Sequence, residues 1–139
     1  AVLLGRYQHT LDAKGRVFVP AKLRETLGER FVATKGKDVC ICIYPMEEWS
    51  RQEAKLLALP SKYSDLQRFY FSNAAELEPD KQGRVLLPAD LREYAGLEND
   101  VVIMGVGNRV EIWNAADRQA NTSELTPQSA AMRMDELGI

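Results

Sequence analysis

The residues best equipped to do chemistry are two arginines set in a repeated frame. Asp12-x-x-Gly15-Arg16-x-x-x-Pro20 returns 68 residues later as Asp80-x-x-Gly83-Arg84-x-x-x-Pro88. From 12–28 against 80–96, ten of seventeen positions are identical. Turn chemistry accounts for three of the four fixed residue types: aspartate caps its own turn, glycine supplies a positive φ, and proline opens a helix. It does not require arginine. A guanidinium beside a turn can reach a phosphate or make the two-pronged contact to guanine O6 and N7. Around the first turn Lys14, Arg16, Lys22, Arg24 and Arg30 face Asp12, Glu25 and Glu29; around the second, Lys81, Arg84 and Arg92 balance Asp80, Asp90 and Glu93. One copy alone is therefore a weak anion binder, and the arginines are open to either a functional or an architectural reading.

Other chemistries find little support. The chain has one histidine, His9, placed in a polar stretch that reads as surface, and no Ser-His-Asp, HExxH or paired-carboxylate arrangement. Met104 to Val110, MGVGNRV, imitates a dinucleotide fingerprint, but its third small position is Val110 and a strand follows, so Gly107-Asn108 reads as a hairpin turn. Cys40 and Cys42 stand one residue apart; on a strand they share a face and read as two reduced, half-buried thiols. With one histidine and no second cysteine pair, no metal and no cofactor is expected.

These residues must be positioned by short elements. Each copy reads as a hairpin at the Gly turn, a strand closed by proline, a short helix ending at Gly28 or Gly96, and a second hairpin. Between the copies, helical spacing runs over 47–57 and 64–71 with a break at 59–61, carrying Trp49, Tyr63, Phe69, Tyr70 and Phe71 as core or subunit-contact residues. The tail after Trp113 reads as helical in pieces, punctuated by Pro127. Neither copy is long enough to cover both faces of its strands, so the two are expected to pack about a pseudo-two-fold axis. At 139 residues, 45% hydrophobic and 27% charged, the chain is an ordinary globular length and composition. Its net charge of −2 speaks against a surface that binds polyanions all over, but not against a local basic patch. No run approaches the length of a membrane span, and the reading is a soluble, cytoplasmic protein.

The doubled turn, YQHTLDAKGRVFVPAKLRE and GVGNRVEIW resemble the MraZ family, bacterial proteins of the SpoVT/AbrB-like swapped-hairpin class. The resemblance covers residues 4–113. It implies an α+β, mainly β fold: two tandem AbrB-like swapped-hairpin halves in a pseudo-two-fold barrel. The first half would be 1–46 and the second 74–115, with a helical connector at 47–73 and a helical tail at 116–139. It also implies a non-enzymatic transcriptional regulator, nucleoid-associated, that forms a ring homo-oligomer, an octamer or similar. Such a ring would bind repeated boxes in double-stranded promoter DNA of its own cell-division and cell-wall operon, with no membrane and no small-molecule substrate. The candidate DNA-binding residues are Lys14, Arg16 and Arg24 in the first copy and Gln82, Arg84 and Arg92 in the second. Gln82 stands where the first copy has Lys14, so the second tip should read DNA differently. The rival is a ring-forming interaction or structural protein whose arginine tips bind acidic partners.

Overall fold

The duplicated motif folds twice in the same way, and the two copies then exchange strands. The computed structural model describes residues 2–120 and 125–139. The first copy forms β1 (Arg6–Thr10), β2 (Arg16–Phe18), α1 (Ala21–Leu27), β3 (Phe31–Lys35) and β4 (Ile41–Pro45). The second forms β5 (Ala75–Leu77), β6 (Arg84–Leu86), α4 (Ala89–Tyr94), β7 (Asp100–Gly105) and β8 (Val110–Asn114). Between them lie α2 (Met46–Leu57), a 3-10 turn at Ser61–Tyr63 and α3 (Ser64–Phe71); α5 (Ala115–Ala120) and α6 (Pro127–Leu137) follow. The expected connector helices and the break at Pro60 are therefore present, and Pro127 opens the last helix.

The expectation that fails is the local hairpin across each Gly turn. β1 does not pair with β2. It pairs antiparallel with β7 of the other copy, β5 pairs with β3, and β2 pairs with β6 in a separate two-stranded ribbon. The six-stranded sheet runs β1-β7-β8-β4-β3-β5, an order that reads the same when the copies are exchanged. The physical reason lies in strand length. Pro20 and Pro88 end β2 and β6 shortly after their third residue, too short to cover a face alone. Pairing the two across the molecule puts Val17 opposite Val85, both fully buried.

Register places the symmetry axis. Exchanging counterparts turns the pair Arg16–Leu86 into Phe18–Arg84, leaving Val17–Val85 on the axis. In the β4–β8 ladder the same exchange turns Ile41–Ile112 into Ile43–Val110, leaving Cys42–Glu111 on the axis. The core obeys it as well: Val19 and Leu87, Leu23 and Leu91, Leu27 and Ala95, Phe31 and Val101, Ile43 and Ile112 are buried counterparts in one cluster. In α1, Leu23 and Leu27 face this core at i and i+4, and Gly28 closes the helix with its N–H on the Arg24 carbonyl at 2.9 Å.

Connector aromatics pack on the outer side of the sheet. Trp49 is buried edge-on against Phe71 with ring centroids 6.1 Å apart, and Phe69 meets Tyr94 at 6.2 Å. Cys40 and Cys42 form a second small cluster with Trp113, flanked by Tyr44 and Met104. Both thiols are free and fully buried, deeper than the sequence suggests, because Trp113 on the neighbouring strand covers them. His9 also departs from its surface reading: it is half-buried, its ring 5.5 Å from that of Phe18.

Candidate nucleic-acid interface

Each tip is tied by its own aspartate. In the first, Asp12 Oδ1 accepts the backbone N–H groups of Lys14 and Arg16, both at 2.9 Å, and Gly15 N–H donates to the Asp12 carbonyl at 3.0 Å. In the second, Asp80 Oδ1 accepts from Gln82 and Arg84, again at 2.9 Å, and Gly83 N–H donates to Asp80 O at 3.0 Å. Gly15 and Gly83 take φ of +84° and +80°, where a side chain is strained. The Asx-turn and glycine parts of the motif thus act as sequence reasoning expects.

The arginine is also part of the turn, which that reasoning missed. Arg16 Nε donates to Asp12 Oδ2 at 2.6 Å, and Arg84 Nε to Asp80 Oδ2 at 3.0 Å. A further contact of 3.9 Å joins Arg84 Nη1 to Asp12 Oδ2, so both guanidiniums converge on one carboxylate near the axis. A carboxylate held at Nε restricts the guanidinium plane and leaves the Nη groups outside that bond. Among the described residues, nothing hydrogen-bonds the Nη groups of Arg16. The motif's joint Asp and Arg, four residues apart, was the available signal.

These bonds also set the charge state. The backbone N–H of Arg16 foremost, with its side chain, holds the Asp12 carboxyl below the ordinary value of 3.8, and that of Arg84 does the same for Asp80. A lowered folded-state value means the stabilisation is fully present above the unfolded value and is lost as pH falls through the folded one. The tips therefore stay locked at every pH from about 5 upward.

The ribbon carries the arginines on one face. Strand alternation buries Val17 and Val85 and turns Arg16, Phe18, Arg84 and Leu86 the other way. Arg16 lies opposite Leu86 and Phe18 opposite Arg84, two polar–apolar pairs exchanged by the axis. Phe18 is 37% and Leu86 55% exposed, although both are large and apolar. Lys14 and Gln82 sit exposed at the two turn apices.

Arg24 and Arg92 stand elsewhere, behind the tips of the opposite copy. Arg24 Nε donates to Val19 O at 2.8 Å and Arg92 Nε to Leu87 O at 3.0 Å. Each guanidinium lies over the glycine of the other tip: a Cβ on Gly15 would come within 2.4 Å of Arg92 Cζ, and one on Gly83 within 2.9 Å of Arg24 Cζ. Reciprocal bonds from Val19 N–H to Gly83 O and Leu87 N–H to Gly15 O, both 3.0 Å, sew the two tips together. The sequence-derived set is thus split. Asp12, Arg16, Asp80 and Arg84 meet at one point, Lys14 and Gln82 flank it, and Arg24 and Arg92 brace it from behind, with Pro20 and Pro88 starting the helices that carry them.

Chemically, the arrangement offers guanidinium groups beside exposed apolar side chains on one face of a two-stranded ribbon. No helix among the described residues is long and apolar enough to cross a membrane. Compared with known proteins, residues 2–69 and 70–135 each match a family model described as "MraZ protein, putative antitoxin-like". The chain is 61% identical over 116 residues to the transcriptional regulator MraZ of Heliobacterium modesticaldum, covering 81% of each chain. It is 57% identical to that of Syntrophomonas wolfei, covering 99% of this chain and 100% of the relative. Against that of Acetivibrio thermocellus the identity is 51%, covering 97% and 98%.

Proposed function

The chain belongs to the MraZ family, and on that premise we propose that it regulates transcription, as its relatives are named for doing, by binding double-stranded DNA through the β2–β6 ribbon. The observation that carries this reading is the outward face of that ribbon, two buttressed arginines alternating with two exposed apolar side chains. A two-stranded ribbon fits the major groove, where each base pair presents a distinct set of donors, acceptors and methyl groups. Arg16 and Arg84 offer their Nη edges to guanine O6 and N7. Phe18 and Leu86 meet thymine methyl groups. Lys14 takes a phosphate, and Gln82, at the same place in the other tip, takes a neutral acceptor or an adenine edge. Arg24 and Arg92, with Nε spent on the backbone, act through the tips they hold and through their charge.

One ribbon is a small contact for a chain of net charge −2. We propose that several chains assemble in a ring and engage repeated boxes, so that weak single contacts add through effective concentration. The boxes would lie upstream of the protein's own operon, one for cell division and cell-wall synthesis, consistent with a cytoplasmic, nucleoid-associated protein. The halves 1–46 and 74–115 would form the reading unit, and the connector 47–73, where Leu57, Tyr63 and Leu66 remain exposed, would face the neighbouring copy. Light scattering should give a mass several times the 15.6 kDa of one chain; a monomer at micromolar concentration rejects the ring.

The test of function is a binding titration of the wild-type protein against upstream and scrambled duplexes over a range of salt concentrations. Affinity for both should fall steeply with salt while the preference for upstream DNA persists, at roughly a thousandfold or more for a specific regulator. Equal, weak binding to both duplexes would favour the rival reading, in which the arginines engage acidic partners.

A further inference from the structure

We infer that Cys40, Cys42 and Glu111 form a binding site for a thiophilic divalent cation of the zinc class, seated where the pseudo-two-fold axis crosses the large sheet. One ligand atom from each residue, two Sγ and a carboxylate oxygen, lies within 4.8 Å of the other two, and all three residues are buried. β4 and β8 bring them together: Cys42 lies directly opposite Glu111 in the ladder. Two thiolates and one carboxylate suit zinc, which accepts both soft and hard donors in tetrahedral sites. Closing the set to ligand distances near 2.0–2.3 Å asks each group to move by about 1 Å.

Three further observations separate this cluster from ordinary packing. First, the fold does not require sulfur here. The counterparts of Cys40 and Cys42 in the second copy are Arg109 and Glu111, so the same positions accept charged side chains. Second, Gly36 leaves the sulfurs room. Its φ lies outside the left-handed region, so backbone conformation does not call for glycine, yet a Cβ there would come within 2.6 Å of Cys40 Sγ and 2.9 Å of Cys42 Sγ. Third, the carboxylate is already aimed. Trp113 Nε1 donates to Glu111 Oε1 at 2.9 Å, and Arg109 donates to Oε2 through Nε at 3.0 Å and approaches it with Nη2 at 2.9 Å. Such outer bonds orient metal-ligating carboxylates, and a lone-pair position remains on Oε1, which takes only the Trp113 donor. Two thiolates, Glu111 and Arg109 together carry −2, which a divalent cation neutralises. An adjoining cavity of about 160 Å³, lined by Cys42, Glu111, Asp38 and Tyr44 among others, has room for a water as fourth ligand.

The experiment uses the reduced, chelator-treated full chain and Cd²⁺ as a spectroscopic stand-in for Zn²⁺. A thiolate-to-cadmium charge-transfer band should grow and saturate at one ion per chain, and Zn²⁺ should displace it. Glu111→Gln should keep the band but weaken binding by about tenfold or more, and Cys40→Ser should abolish the saturable band. In the wild type, saturating Zn²⁺ should slow alkylation of both thiols at least about tenfold, a readout that does not depend on any variant folding. No band with excess Cd²⁺, or alkylation unchanged by Zn²⁺, would overturn the site and leave two buried thiols packed as small hydrophobes. Unchanged affinity in a folded Glu111→Gln protein would overturn the three-ligand assignment.

Discussion

Arg16→Ala should remove the preference of this protein for its operator while the fold and the assembly persist. Only Nε of the side chain is committed within the turn, to an Asp12 carboxylate that keeps its two backbone donors when the arginine is gone. The ion pair is roughly a third exposed, and such pairs contribute at most ~1 kcal/mol. The loss to DNA binding is larger. A two-pronged arginine–guanine contact discriminates by ~1–3 kcal/mol, about five- to 150-fold per ribbon, and in a ring that spans several boxes the factors multiply. Binding to scrambled DNA should weaken only as the loss of one charge dictates. Arg84→Ala should weaken binding less if the Gln82 tip is the poorer reader. The check is a titration of both variants against upstream and scrambled duplexes at one salt concentration, beside circular dichroism and light scattering. A folded, assembled Arg16→Ala protein with unchanged preference would make the repeated turn architectural.

Val17→Asp should leave no folded protein at neutral pH. Val17 is 1% exposed and faces Val85, 0% exposed, across the axis, so a carboxylate there has no water and no partner. Burying an unpaired charge costs roughly 4 kcal/mol or more, comparable with the ~5–15 kcal/mol that holds a domain together. The milder Val17→Ala removes two methyl groups and should cost about 2 kcal/mol. Because Val17 and Val85 are counterparts, Val85→Ala should cost nearly the same, and the double variant should deviate from additivity because the two side chains touch. Urea unfolding midpoints compare all four variants with the wild type. A Val17→Asp chain with the wild-type midpoint would mean that the ribbon does not join the two copies.

How much of this was legible depended on distance along the chain. Asp12, Gly15 and Pro20 act through bonds to residues at most four positions away, so their roles as cap, turn and helix start could be read from type and spacing. The same holds for α1, where Leu23, Leu27 and Gly28 carry the pattern, and for the bounds of α3. The strand exchange was not legible in the residues themselves, since Arg16–Phe18 shows the same alternation whether it pairs with β1 or with β6. Everything that depends on the exchange was hidden with it. Arg24 lies over Gly83 only because the tips cross, and Phe18 and Leu86 become one surface only because their strands pair. Glu111 meets the two thiols through the β4–β8 register, and no spacing in the chain reveals that register.

The proposed contact between the ribbon and guanine is tested most directly with 7-deazaguanine, which removes N7 and keeps Watson–Crick pairing. Substituted singly at each guanine of the upstream box, it should weaken wild-type binding at one or two positions by about tenfold, part of the ~1–3 kcal/mol of a two-pronged contact. At the position read by Arg16, the Arg16→Ala protein should bind normal and substituted DNA alike. If no guanine is sensitive in the wild type, or if Arg16→Ala keeps the full sensitivity, the arginine tips do not read the major groove.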